Sequence, residues 1–135
     1  MMAYRNPSAF ASFVYRQLTA HIPVPQQSFA GQTVIITGAN TGLGFEAAIH
    51  LVRLGAEQVI LGCRSLAKGE EARKQMETRT GKQTAGLVEV WEVDLASYES
   101  VKAFVRKAEG LERVDVVLEN AGMLTEKFSM AEDNE

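Results

Sequence analysis

From Thr33 onward, short apolar runs alternate with longer amphipathic segments. The apolar runs are rich in β-branched residues and predict four strands, at Thr33–Thr37, Val59–Gly62, Val88–Val93 and Val114–Leu118. The segments between them predict helices that begin near Gly42, Ser65 and Ser97. Because apolar runs such as VII, VIL and VVL lack polar alternation, we expect a parallel sheet covered by helices on both faces. Right-handed crossovers make this βαβαβαβ order part of a doubly wound sheet, with strand order 3-2-1-4 and strand four at an open edge.

Helical periodicity also indicates which side of each helix is buried. In the helix after the first strand, one face carries Leu43, Ala47, Leu51 and Leu54. In the helix after the third strand, one face carries Val101, Phe104, Val105 and Ala108. We expect both faces to pack against the sheet.

Residues 1–32 form an arm that carries all three prolines of the chain. Within it, a helical spacing predicts a short amphipathic helix that ends near Pro23. The positions that recur on one face are Phe10, Phe13, Val14, Gln17, Leu18 and His21. Two interpretations of this helix remain open: it packs its phenylalanines on its own domain, or it binds a membrane surface or a partner. At the other end, the acidic segment 124–135 has no clear period, and we expect it to fray.

Composition narrows the class of protein. With a net charge of −3 and no basic cluster, the chain has no electrostatic footprint for nucleic acid. No run of 18 apolar residues is present, so we expect at most a peripheral membrane contact. The single cysteine, Cys63, favours a reducing compartment and a cytoplasmic location. We expect no metal site, because His21 and His50 are far apart and no cysteine cluster accompanies them.

The most informative segment is a glycine-rich loop between the first strand and the first helix of the sheet. It consists of Gly38, Ala39, Asn40, Thr41, Gly42, Leu43 and Gly44. In this position the glycines permit a sharp turn, a close backbone approach to a phosphate and tight packing of helix on sheet. Free N–H groups at the helix start favour a pyrophosphate. The loop therefore predicts a dinucleotide site in a Rossmann-like sheet; no Gly-Lys-Ser/Thr follows it, which excludes a P-loop.

The end of the second strand indicates which dinucleotide is preferred. An NAD site places Asp or Glu about 20 residues after the glycines to hold the ribose 2′-hydroxyl. Here Arg64 occupies that place, with Lys68 one turn further on. Because a cation suits a 2′-phosphate, we expect NADP(H) to be the cofactor.

These motifs resemble the short-chain dehydrogenase/reductase family. Three matches occur in the family's order: the loop Thr37–Gly44, Asp94-Leu95 after the third strand, and Asn120-Ala121-Gly122 after the fourth. Strings such as GCRSLAKGE and VLENAG are most similar to its retinol-dehydrogenase-like branch, particularly fungal members, many of which act in secondary metabolism. The resemblance implies NADP-dependent oxidation of an alcohol or reduction of a carbonyl.

The resemblance also implies roles for individual residues. Asp94 would contact the adenine, with Leu95 beside it, and the backbone of Leu43 would donate near the phosphates. The loop Asn120–Gly122, which includes Ala121, would support the fourth strand and border the nicotinamide-side ribose. Glu119 departs from the pattern, because many relatives have a second asparagine there.

The family's catalytic serine and Tyr-x-x-x-Lys pair belong to later elements that these 135 residues do not include. The pair Tyr98 and Lys102 has the right spacing, but it precedes the fourth strand and we interpret it as a decoy. We therefore expect a cofactor-binding half-domain at residues 33–123, truncated after the fourth strand and inactive alone. The alternative is a non-catalytic NADP-binding sensor or scaffold.

Overall fold

A computed structural model describes residues 7–21 and 23–122, with only the backbone described for residues 7 and 8. The acidic segment 124–135 lies outside the described residues. The helices are α1 (Pro7–Thr19), α2 (Gly42–Arg53), α3 (Leu66–Thr80) and α4 (Tyr98–Glu109). The strands are β1 (Thr33–Thr37), β2 (Gln58–Cys63), β3 (Val88–Glu92) and β4 (Val116–Leu118). None of these four described helices is long and apolar enough to cross a bilayer.

The four strands form one parallel sheet in the order β3-β2-β1-β4. The direction of winding reverses at β1. From β1 the chain passes through α2 to its neighbour β2, and it reaches the other neighbour, β4, only after β3 and α4. The doubly wound, Rossmann-like prediction is confirmed. All four strands point the same way, so the loops that follow them meet at one edge, where sheets of this type bind ligands.

One face of the sheet carries most of the core. Val34, Ile36, Val59 and Leu61 point to this face and pack against α2 and α3. The opposite face carries a smaller cluster, in which Ile35, Ile60 and Trp91 contact Phe104, Ala108 and Leu111. The expected packing of α4 is therefore present at Phe104 and Ala108, whereas Val105 remains 47% exposed.

Only part of the predicted face of α2 lies against the core, where Leu51 packs as a partly buried residue. The helix buries Phe45, Ala48, Ile49 and Val52, whereas Leu43 is 83% exposed. Both sets have helical spacing, so periodicity alone cannot choose between them. The choice is made by the glycine loop, which turns the helix so that buried Gly44 lies against the residues after β1 and β4.

The expectation that every strand is covered on both faces fails at β4. Val116, Val117 and Leu118 are 37%, 55% and 38% exposed, whereas all five residues of β1 are buried. The strand pairs only with β1, and α4 has no fully buried residue. An apolar strand is buried only where neighbouring elements cover it. Among the described residues, few elements cover β4.

The predicted arm helix is present as α1, which ends four residues before Pro23. Two of its apolar side chains are largely exposed, Phe13 at 51% and Leu18 at 80%. No other described helix or strand lies against α1. The interpretation in which this helix covers its own domain is therefore not what the structure shows.

Candidate functional site

A cleft of about 840 Å³ opens at the edge where the strands end. Its volume is in the range of small-molecule sites, about 300–1,000 Å³. It brings together ten of the thirteen residues that the sequence predicts for the cofactor: Gly38, Asn40, Thr41, Arg64, Lys68, Asp94, Leu95, Asn120, Ala121 and Gly122. The other three, Gly42, Leu43 and Gly44, lie in the first turn of α2 rather than in the cleft lining.

The glycine loop turns sharply off β1. Gly38 and Gly42 have φ values of 67° and 62°, in the left-handed region that side chains with a Cβ avoid. A Cβ added at Gly42 would meet no described atom within 4 Å, so the backbone there faces open space. At Gly44, by contrast, an added Cβ would lie 2.5 Å from Asn120 Nδ2 and 2.8 Å from the Gly38 carbonyl oxygen. The backbone at Gly42 is thus open to solvent, and Gly44 permits close packing.

The first turn of α2 has an uncommon feature among the helices that begin at this edge. Ser65 caps α3 by accepting from Lys68 N–H, and Ser97 caps α4 by accepting from Ser100 N–H. Thr41 stands at the same position of α2, yet no side-chain capping bond is present there within the described residues. Amide groups at a helix start carry partial positive charge, so this turn can accept an anion.

The residues after β4 are bonded to the glycine loop. Asn120 Nδ2 donates to the carbonyl oxygens of Thr37 and Gly38, at 3.1 and 3.3 Å. The Thr37 hydroxyl oxygen accepts from the backbone N–H groups of Asn120 and Ala121, both at 3.1 Å. These four bonds hold the two sides of the cleft together. They also give Asn120 a structural task that its position in the sequence alone does not reveal.

Two cations stand on the cleft wall formed by the end of β2 and the start of α3. Arg64 and Lys68 are both exposed and both line the cleft. Within residues 7–21 and 23–122, neither forms an ion pair. Some other arginines of the domain are paired, as Arg79 is with Glu46 and Arg73 with Glu70, whereas Arg53 and Arg106 also form no ion pair among the described residues. The positive charge on this wall is therefore not neutralised by a neighbouring carboxylate.

Asp94 lies on the opposite wall, directly after β3. Its Oδ1 accepts from the Ala96 N–H at 3.0 Å, and its own N–H donates to the Ser100 hydroxyl oxygen at 2.9 Å. These bonds fix the turn that leads into α4 and hold the carboxylate at the cleft. Leu95 beside it is 53% exposed and offers an apolar surface for a ring.

Sequence reasoning missed five residues of the cleft lining: Gly62, Cys63, Ser65, Val93 and Ala96. They adjoin the ends of β2 and β3, which is the signal that could have found them. Cys63 adjoins the glycine loop in the cleft lining. Burial raises the pKa of the Cys63 thiol, and the nearby backbone N–H groups of Ala39 and Asn40 only partly offset the rise. The thiol is therefore a neutral part of the floor.

The Tyr98 and Lys102 pair lies on the first turns of α4, outside the cleft lining. The Lys102 ammonium stands 4.6 Å from the centre of the Tyr98 ring and forms an ion pair with Glu99. An ammonium above the ring face is a cation–π contact. This contact occupies the ammonium on the surface of the helix.

The fold and the cleft together define a class: Rossmann-like α/β proteins that bind ligands at the carboxyl edge of a parallel sheet. Comparison with known proteins identifies one family within this class. The family model described as short chain dehydrogenase matches residues 32–135. The chain therefore belongs to the short-chain dehydrogenase family.

Two fungal proteins illustrate the relationship. The short chain dehydrogenase/reductase dmxR8 of Cryptosporiopsis sp. (strain 8999) is 47% identical over 124 residues, which cover 91% of this chain and 38% of that protein. The short chain dehydrogenase atnD of Emericella nidulans is 45% identical over 131 residues, which cover 96% of this chain and 41% of that protein. The chain thus spans about two-fifths of the length of these relatives.

One of the similar solved structures contains a nicotinamide cofactor. A short chain dehydrogenase from Escherichia coli CFT073, crystallised in complex with NADPH, superposes with a TM-score of 0.61 and 31% sequence identity. The match covers 74% of this chain and 41% of that protein. The family and the fold are therefore shown by sequence and by structure.

Proposed function

We propose that this chain is the cofactor-binding part of an NADP(H)-dependent oxidoreductase that interconverts an alcohol and a carbonyl compound. The observation that carries the choice of NADP(H) is the pair of cations on the cleft wall, Arg64 and Lys68, which have no carboxylate partner within residues 7–21 and 23–122. A 2′-phosphate is a dianion that fits such a wall, whereas NAD has only a hydroxyl group there. The complex of the E. coli relative with NADPH supports this proposal.

Each part of the cleft has a binding task in this proposal. The N–H groups of the first turn of α2 hold the pyrophosphate, and the open space at Gly42 admits it. Asp94 and Leu95 face the adenine. Asn120 keeps the loop after β4 joined to the glycine loop and so preserves the shape of the cleft toward the nicotinamide. When bound, the nicotinamide supplies the hydride that such oxidoreductases transfer.

We further propose that residues 1–135 bind the cofactor without catalysing the transfer. Carbonyl reduction needs an acid beside the developing alkoxide. Tyr98 stands outside the cleft lining, on α4, and the Lys102 ammonium beside its ring forms an ion pair with Glu99. In this proposal the acid comes from other parts of the longer family members. By resemblance to fungal relatives, we propose a cytoplasmic role in secondary metabolism.

Calorimetric titration with NADPH and NADH tests the cofactor. We expect NADPH to bind about ten- to a hundredfold more tightly, because a hydrogen bond to a charged group contributes about 1.5–3 kcal/mol. Arg64→Ala should remove most of this preference and leave NADH affinity nearly unchanged. Lys74→Ala is the matched control, because this exposed cation lies further along α3 and outside the cleft lining. Equal affinities for both cofactors, or a preference that survives Arg64→Ala, would refute the proposal.

Turnover is tested separately. NADPH oxidation is followed by absorbance with a panel of aldehydes, ketones and quinones, for the chain and for Tyr98→Phe. We expect no substrate-dependent oxidation by either protein. Turnover that disappears in Tyr98→Phe would show that this tyrosine is the acid after all.

A further inference from the structure

We propose that α1 is an interfacial helix that docks this chain on the surface of an anionic phospholipid bilayer. The inference goes beyond the proposed oxidoreductase and does not depend on cofactor binding. It rests on the exposure of an apolar helix face, on the distribution of charge along the chain and on the spacer behind the helix.

The apolar face of α1 is exposed. On one side of the helix, Phe13 and Leu18 are 51% and 80% exposed. At 100° per residue, Ser12, Arg16 and Thr19 lie toward the other side, and Tyr15 falls beside Thr19 rather than on the apolar face. No other described helix or strand lies against it. A helix with aromatic and aliphatic residues on one side and a cation among polar residues on the other is typical of one that lies in a lipid interface.

The dimensions of α1 fit a surface position. Its 13 residues make a rod of about 20 Å, shorter than the roughly 30 Å hydrocarbon core of a bilayer. Such a helix cannot span the membrane. It can bury its apolar side at the boundary between headgroups and acyl chains, with Arg16 directed to the phosphates.

Charge separates the arm from the rest of the chain. Residues 1–45 contain Arg5 and Arg16 and no acidic residue, so all 17 Asp and Glu residues follow them. Residues 46–135 hold the other 12 basic residues and carry a net charge of −5, so an anionic surface attracts the arm and repels the remainder of the chain. Each basic residue near such a surface adds to this attraction. This complementarity favours an anionic lipid surface over a neutral one.

A spacer between α1 and the domain allows α1 to bind the surface while the domain stays away from it. Residues 20–28 contain Pro23 and Pro25, and the described residues among them form neither helix nor strand. Phe29 ends the spacer, because its N–H donates to the Leu54 carbonyl at 3.0 Å and its side chain packs on the core. Nine residues in extended form reach roughly 25–30 Å, well beyond the Debye length of about 8 Å. The domain can therefore remain outside the repulsive field while α1 is bound.

Vesicle flotation with the whole chain tests the proposal. We expect the protein to float with phosphatidylcholine vesicles that contain phosphatidylserine, and much less with pure phosphatidylcholine. Phe13→Ser and Arg16→Glu should each weaken binding by a factor on the order of ten. Two matched controls should leave it unchanged: Val117→Ser removes an exposed apolar side chain from β4, and Arg106→Glu makes the same charge change on α4.

Three results would overturn the proposal. The first is absence of flotation with the anionic vesicles. The second is a loss with Val117→Ser as large as that with Phe13→Ser, which would place lipid binding at β4. The third is a lipid-free dimer, seen by sedimentation, that Phe13→Ser converts to monomer, because a second copy would then occupy the apolar face. The thermal unfolding midpoints of Phe13→Ser and the unchanged protein are compared as a folding control. If they are equal, a loss of flotation is not caused by unfolding of the variant.

Discussion

Two regions of the sheet carry the same kind of strand sequence and have opposite environments. In the region from β1 to β3, strands such as TVIIT and QVILGC are buried on both faces. Helices α2 and α3 cover one face, and Phe104, Ala108 and Leu111 pack against the other. In the region of α4 and β4, the strand VVL is exposed along its whole length. The difference teaches that apolar character predicts a strand, whereas burial depends on what packs beside it.

The cleft lies where these two regions meet. The glycine loop and the cations belong to the well-packed region, and Asn120 belongs to the end of the exposed strand. The bonds from Asn120 to Thr37 and Gly38 therefore make the geometry of the loop depend on the less buried side of the molecule. Stability and ligand binding can be separated experimentally along this boundary.

Two valine truncations should give the largest contrast. Val59→Ala in β2 removes atoms from a fully buried site and should lower the free energy of unfolding by about 2–3 kcal/mol. Val117→Ala in β4, where the valine is 55% exposed, should lower it by less than about 1 kcal/mol. Urea denaturation of both variants measures the difference. Similar losses would mean that β4 is covered in solution, for example by self-association.

Asn120→Ala should break the connection between the two regions. Because two hydrogen bonds are lost, we expect a loss of about 1–2 kcal/mol in unfolding free energy and weaker NADPH binding. Glu119→Ala is the control, since this exposed neighbour lies outside the cleft lining and should have little effect on either quantity. Unchanged NADPH affinity in Asn120→Ala would show that the loop keeps its shape without the bonds.

Two glycines allow a finer comparison. Gly42 and Gly86 both have positive φ, at 62° and 80°, and both face open space. Substitution by alanine should therefore cost each about 1 kcal/mol of stability through backbone strain. Only Gly42→Ala should weaken NADPH binding, because its Cβ would enter the space in front of the glycine loop. Equal NADPH affinity of the two variants would count against a phosphate at that place.

The smallest expected effect is a change in the response to acid. Glu77 Oε1 accepts from the Thr84 hydroxyl at 2.7 Å and from its N–H at 3.1 Å, and these bonds hold the pKa of Glu77 below its ordinary value of 4.5. A depressed carboxyl pKa contributes stability above the unfolded value, and this contribution is lost as pH falls through the folded value.

Glu77→Gln should therefore flatten the fall of the urea midpoint between about pH 5 and pH 3. Asp115→Asn should act in the same direction in the other region, because Arg113 and the Thr33 N–H lower the pKa of Asp115. Glu109→Gln, an exposed substitution on α4, serves as the control. An acid profile of Glu77→Gln identical to that of the unchanged chain would contradict the assignment.

Much of the fold could be predicted from local sequence. The predicted first strand coincides with β1, and the predicted caps Ser65 and Ser97 stand at the starts of α3 and α4. These features depend on short-range chemistry: β-branched runs favour strands, and a serine oxygen satisfies the free N–H of the next turn. The strand order followed from the handedness of the crossovers.

Other features depended on contacts between distant residues, which local pattern does not contain. Both stripes of α2 have helical spacing, and only the docking of Gly44 beneath Asn120 decides that Phe45, rather than Leu43, faces the core. Likewise, the apolar run of β4 could not show that its faces are exposed, because exposure is a property of the neighbours.

The candidate site likewise has features that the sequence predicts and features that only the tertiary structure decides. The sequence by itself determined the residue types, because a glycine loop after a strand and a cation about 20 residues later are local and topological signals. Only the tertiary structure decided that Cys63 and Val93 line the same cleft, that Asn120 bonds to Thr37 and Gly38, and that Arg64 and Lys68 have no carboxylate partner within the described residues. The physical reason is that hydrogen bonds and ion pairs form between atoms close in space, and the parallel sheet brings residues more than 80 positions apart to one edge.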